Sequence, residues 1–128
     1  MAQILLVEPD RLLADIYRQA LESAGHRVVM CASAQSAIFA ADEIKPDMVI
    51  LELQLIGHSG IEFLYEFHSY PDWQNIPVLI QSHVPAGEFA GSWGMLQQQL
   101  GVRAYFYKPL TTIRALLASV AEFAPVVA

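Results

Sequence analysis

The chain has 128 residues, enough for one domain that buries roughly two-thirds of the surface its unfolded form exposes. Hydrophobic residues make up 55% and charged ones 16%, with mean hydropathy +0.37, which excludes intrinsic disorder and leaves apolar surface to spare for a partner. Seven Lys+Arg against thirteen Asp+Glu give a net charge of −6 with no basic cluster, which argues against binding nucleic acid through its phosphates. Cys31 stands alone, so no internal disulfide forms and a reducing compartment suits the chain. The opening MAQILLVEPD lacks the basic stretch of a signal peptide, and no apolar run approaches the ~20 residues of a membrane span. The expectation is one soluble, cytoplasmic domain over 1–128, with no membrane or nucleic-acid partner.

Short apolar runs alternate with segments of helical period. Ile4-Leu5-Leu6-Val7 predicts a first strand that stops at Glu8-Pro9-Asp10. A helix follows, capped by Asp10 and ended at Gly25, with Leu13, Ile16, Tyr17, Ala20 and Leu21 at helical spacing. Arg27 to Cys31 predicts the second strand. Ser33 caps a second helix carrying Ala37, Phe39, Ala40, Ala41 and Ile44, closed by Lys45-Pro46. Met48 to Leu51 predicts the third strand, ended by Glu52. After Gly57 and Gly60 comes a third helix with Ile61, Leu64, Tyr65 and His68. Pro77 to Ser82 predicts the fourth strand. A stretch with Gly87, Gly91 and Gly94 leads to a helix over Met95 to Leu100, and Val102 to Tyr107 predicts the fifth strand. Thr111 or Thr112 caps a last helix with Ile113, Leu116, Leu117 and Val120 on one face.

Strands that read as unbroken apolar runs are buried on both faces, which implies a parallel sheet covered by helices. Five such units predict an α/β, doubly wound open sheet with right-handed crossovers. Ligands of such sheets bind beyond the carboxyl ends of the strands. The candidate residues are therefore Glu8, Asp10, Glu52, Ser82, His83 and Lys108.

Over nearly its whole length the chain resembles the receiver domains of two-component response regulators. ILLVEPD matches the family's first strand, and in DMVILELQLIGHSG the residues Glu52 and Gly60 keep the family's spacing from phospho-acceptor to glycine. IPVLIQS ends on Ser82 at the usual hydroxyl position. GVRAYFYKPL supplies Lys108-Pro109, with Tyr105 at the switch aromatic. The resemblance implies a flavodoxin-like, CheY-like fold with strand order 2-1-3-4-5. It also implies phosphoryl transfer from a histidine kinase to the third strand's terminal carboxylate. That chemistry calls for magnesium on carboxylate oxygens, and for a lysine and a hydroxyl to hold the developing charge.

Two departures change the expectation. Glu52 stands where the family has aspartate, carrying the carboxylate about 1.5 Å further into the pocket. Pro9 replaces the acid that would hold the metal most directly. Glu8, Asp10 and Glu52 remain as weak candidates for magnesium, so no metal and no other cofactor is expected. Glu52 projects its own negative charge toward the phosphoryl position, where Lys108 and Ser82 can meet it. The expectation is a phosphorylation-independent pseudo-receiver, not an enzyme, in which Glu8, Asp10, Glu52, Ser82 and Lys108 form a degenerate pocket. The alternative is a genuine phosphoacceptor using those same five residues with magnesium.

His58 and His83 lie in loops at the same sheet edge, but without firm ligand spacing they read as solvated residues. Cys31 reads as a buried, inert thiol. Ser82-His83 lacks a nucleophile-elbow pattern, which speaks against a hydrolase. The interval from Ser82 to Lys108 is about one helical turn longer than the resemblance implies. Trp93, Met95, Leu96 and Phe123 find no obvious place in the core, and Phe89 sits in the glycine-rich stretch. With Tyr105, the residues Trp93, Met95 and Leu96 are expected to form an interface. Its occupant is a protein partner (a histidine kinase or output protein) or a second copy, joined at micromolar concentration.

Overall fold

A computed structural model describes residues 1–124; the last four residues of the expected domain lie outside them. Five strands, β1 (Gln3–Val7), β2 (Arg27–Cys31), β3 (Met48–Leu51), β4 (Val78–Ser82) and β5 (Val102–Tyr107), pair in parallel in the order β2-β1-β3-β4-β5. The helices are α1 (Arg11–Ser23), α2 (Ala34–Glu43), α3 (Gly60–Phe67), α4 (Trp93–Gln99) and α5 (Ile113–Phe123). No described helix is long and apolar enough to cross a membrane.

The sheet has a core on each face, and the period of two along each strand assigns residues to them. Leu5, Val7, Val49 and Leu51 face one core with Phe63, Leu64 and Phe67 of α3. Ile4, Leu6, Met48 and Ile50 face the other with Tyr17 and Leu21 of α1 and Leu116 and Val120 of α5. This is why the strands read as continuous apolar runs.

Side-chain caps start four helices: Asp10, Ser33, Ser59 and Thr112 each accept a backbone N–H of the first turn. Gly25, at φ +94°, turns the chain out of α1 in a conformation open mainly to glycine.

The helix faces depart from the sequence reading in places. Ile16, Phe39, Ile44 and Tyr65 are exposed, while Phe63, Phe67 and Trp73 fill the core. His68 caps the end of α3 instead of continuing it. The segment after β4 is a 3-10 turn, Ala86–Ser92, and α4 begins at Trp93, earlier than expected. Leu96 is fully buried, so it belongs to the core and not to an interface. Phe123 is half-buried against the α1–α5 core, which corrects its expected lack of a core site.

Candidate functional site

The chain reverses its direction of winding between β1 and β3, and the crevice at their carboxyl ends is where such sheets bind ligands. Backbone pairing continues one residue past each of these strands. Glu8 N–H donates to the Cys31 carbonyl at 2.9 Å, and Glu52 N–H donates to the Val7 carbonyl at 3.0 Å. That register brings two carboxylates to the edge at the switch point. Lys108 follows directly on β5, and Ser82 ends β4 opposite Tyr107.

The Lys108 ammonium bonds both acids. It donates to Glu52 Oε1 at 2.7 Å and to Glu8 Oε1 at short range. The side chains of Lys108, Glu8 and Glu52 are only 5%, 4% and 3% exposed, so the cluster is dry. Charges held out of water this way persist only when paired and fully hydrogen-bonded. Here they are. Glu52 Oε2 accepts from the Ser82 hydroxyl and from Gln54 N–H at 3.1 Å, and Oε1 also accepts from His83 N–H at 3.3 Å. Glu8 Oε2 accepts from Asp10 N–H at 3.1 Å. Burial would push the Glu52 carboxyl up, but its bonds from Lys108, Ser82 and Gln54 outweigh that and hold it below the usual carboxylate range.

Of the five expected pocket residues, Glu8, Glu52, Ser82 and Lys108 meet in one hydrogen-bonded cluster. Asp10 does not bring its carboxylate there. Its side chain is exposed and accepts from Leu13 N–H at 3.2 Å as the cap of α1, leaving only its backbone N–H to the cluster. His83 Nδ1 lies 3.4 Å from Glu52 Oε1, whereas His58 sits beside Glu62 at 3.4 Å and takes no part.

Tyr105 is half-buried, its hydroxyl donating to the Val84 carbonyl at 2.5 Å. Its ring centroid lies 6.0 Å from Phe89 and 6.5 Å from Trp93. Burial pushes its phenol up to about 12. Trp93 and Met95 are also half-buried and pack against the core. The Cys31 thiol is buried, with Sγ 3.6 Å from the Ser36 carbonyl, and burial raises its pKa, the direction of an inert thiol.

Several groups escaped the sequence reading. The backbone N–H groups of Asp10, Gln54 and His83 carry no residue signature, so nothing in the sequence could announce them. Tyr17 and Gln81, both buried, bond at 2.6 Å (Gln81 Nε2 to the Tyr17 hydroxyl). Burial and the neighbouring Glu8 push the Tyr17 phenol up to about 12. Glutamine inside an apolar strand was the available signal.

Gly60 explains its own spacing from Glu52. A Cβ there would lie 2.7 Å from Leu53 Cα and 3.0 Å from the Glu52 carbonyl oxygen. Its N–H donates to the Leu53 carbonyl at 2.7 Å, drawing the start of α3 against the loop that follows the acid.

Residues 4–121 match the family model of the response regulator receiver domain. The polar-differentiation response regulator DivK of Brucella ovis is 27% identical over 111 residues, which cover 87% of each chain. The KDP operon transcriptional regulatory protein KdpE of Escherichia coli is 34% identical over 82 residues, 64% of this chain and 35% of that protein. The chain thus matches about a third of KdpE but most of DivK. Among solved structures, the chemotaxis response regulator CheY4 of Vibrio cholerae superposes with a TM-score of 0.84 at 20% identity, covering 96% of this chain and 98% of that one. A sensor protein from Polaromonas sp. JS666 gives 0.83 at 21% identity, covering 94% of each. These two likenesses speak for the fold, and the match over residues 4–121 speaks for the family: the chain belongs to the receiver domains of two-component response regulators.

Proposed function

We propose that this receiver signals without being phosphorylated, its pocket held closed by its own lysine in the place of a metal ion. The observation that carries the reading is the buried Lys108 ammonium bound by both Glu8 and Glu52. Phosphoryl transfer to a carboxylate needs magnesium beside it, on several free oxygen ligands in near-octahedral array. Pro9 supplies no donor, and the Asp10 carboxylate caps α1. All four carboxylate oxygens of Glu8 and Glu52 already accept hydrogen bonds. The donor set does not fit the ion.

Glu52 also occupies the groups that would otherwise hold a phosphoryl oxygen: the Ser82 hydroxyl, the Lys108 ammonium and the His83 N–H. In this reading the domain is not an enzyme and carries no cofactor. It works in the cytoplasm by binding a protein partner (a kinase, an output protein or a second copy) through the surface around Trp93, Met95 and Tyr105. What supports that surface is the aromatic group of Phe89, Trp93 and Tyr105, only half-buried beside the β4 end of the pocket.

The test is a titration with magnesium and beryllofluoride, followed by amide NMR, beside mass spectrometry after incubation with acetyl phosphate. No saturable shifts at Glu8, Glu52 or Lys108 and no added phosphoryl mass are expected. Saturation at sub-millimolar magnesium, or a phosphoryl adduct, overturns the reading in favour of a working phosphoacceptor.

A further inference from the structure

On the face of the molecule where α2 lies beside α3, a cleft of about 600 Å³ is lined by Ile38, Phe39, His58, Glu62, Phe63 and Glu66. A second cavity of about 300 Å³ lies against the next turns of α2, beside Asp42, Lys45, Asp72 and Trp73. None of Glu8, Glu52, Ser82 or Lys108 lines either one, so this surface is separate from the pocket. Its chemistry is of two kinds. Phe63 and the half-buried Ile38 give it an apolar floor, and the Phe39 ring stands on its rim, 64% exposed. At that floor the acids are Glu62 and Glu66, with His58 Nδ1 3.4 Å from Glu62, and along the second cavity they are Asp42 and Asp72, against Lys45.

We propose that this cleft between α2 and α3 docks an amphipathic helical segment of a partner protein, apolar on one face and basic along its flanks. A groove between two helices fits the ridge of a third, and the apolar floor takes side chains spaced i, i+3 or i+4, and i+7. The acidic rim selects lysine or arginine on the flanks, and the net charge of −6 steers a cationic segment toward the domain. The same charges disfavour the other occupants. A second copy related by a two-fold axis would set acidic rim against acidic rim. Anionic lipid and nucleic acid are repelled in the same way.

The probe is a synthetic helical peptide about four turns long, with leucines on one face and lysines on the other. Its charge-reversed counterpart carries glutamate for lysine. Titrated into the labelled domain, the lysine peptide is expected to shift amides of residues 34–42 and 58–66, while the glutamate peptide leaves them unmoved. Phe39→Ser, at an exposed position that leaves the core intact, should weaken binding at least about tenfold. The double variant Glu62→Lys, Glu66→Lys should exchange the preference, losing the lysine peptide and gaining the glutamate one. A folded variant that gains a ligand cannot be explained by damage. Shifts centred elsewhere, equal binding of both peptides, or an unchanged preference in the double variant overturn the proposal. So does concentration-dependent self-association that Phe39→Ser abolishes, which would assign the cleft to a second copy.

Discussion

The Lys108 ammonium lies 2.7 Å from Glu52 Oε1 and also bonds Glu8, joining the ends of β1, β3 and β5 through one buried cation. One cation facing two anions makes the three residues unequal. Lys108→Met leaves two uncompensated buried carboxylates and is expected to cost about 3–5 kcal/mol in urea unfolding. Glu8→Gln leaves a one-to-one pair and should cost less. Adding Glu8→Gln and Glu52→Gln to Lys108→Met should recover part of the loss. Additive losses across the set would count against the cluster.

The same geometry sets an expectation for metal binding. Glu52→Asp shortens the side chain and withdraws the carboxylate from Ser82, while Pro9→Asp restores a donor at the sheet edge. The combined variant should bind magnesium measurably tighter than the native chain by calorimetry. Equal affinities would mean that something other than these two positions limits the pocket.

Much of this arrangement could be read from the residues. Apolar runs identify the central strands β1, β3 and β4 because those are buried on both faces, while the edge strands β2 and β5 each admit an exposed arginine and are only half-buried. Asp10, Ser33 and Thr112 mark helix starts because their short side chains cap backbone N–H groups. Helix faces were less legible. Phe39 and Phe63 are equally apolar, and only packing decides that one is exposed and the other buried. The carboxylates and lysine of the pocket could be placed from strand ends. The part played by Asp10 could not, because one residue type serves equally as ligand and as cap, and the structure uses it as a cap. Leu96 escaped because Trp93, Met95 and Leu96 are all apolar, and only packing shows that Leu96 and Leu100, four residues apart on one face, are the ones buried.

Gly60→Ala tests the contact between the pocket loop and α3. The methyl would meet backbone, Leu53 Cα at 2.7 Å, which cannot swing aside like a side chain. Overpacking of this kind costs about 1–3 kcal/mol. Thermal melting of Gly60→Ala should therefore show a clear loss of stability. An unchanged midpoint would show that the loop shifts freely.

His68 contributes a pH dependence. Burial holds its imidazole below the usual range, and its Nε2–H bond to the Ile76 carbonyl offsets this only in part. The folded chain keeps His68 neutral while the unfolded chain protonates it near 6.5, so stability falls as pH drops through that value. His26, lowered by burial and by the amino terminus, acts in the same direction. Glu52 acts lower: its folded pKa lies below 4.5, so its contribution is present above that value and is lost as pH falls through the folded one. His68→Phe should flatten the slope between about pH 7 and 5.5 and leave the acid limb in place. An unchanged slope from urea unfolding would show that His68 does not carry it.

The last expectation concerns assembly on the face around Tyr105. With Leu96 fully buried and Phe123 packed on the α1–α5 core, Trp93 and Met95 are what remains of the expected apolar interface on α4. Full burial of a large apolar side chain is worth about 1.5–3 kcal/mol, and these two are already half-covered, so each has only part of that to contribute. Together they fall well short of the roughly 8 kcal/mol that micromolar binding needs. Self-association through this face should therefore be weak, appear in light scattering only well above micromolar concentration, and weaken further in Trp93→Ser. Glu52 already supplies the pocket's negative charge, so acetyl phosphate should leave the association unchanged. A monomer at high concentration, the same with and without Trp93→Ser, would remove the second copy as occupant and leave the face to another protein. Association that strengthens with acetyl phosphate would instead count against the lysine-filled pocket.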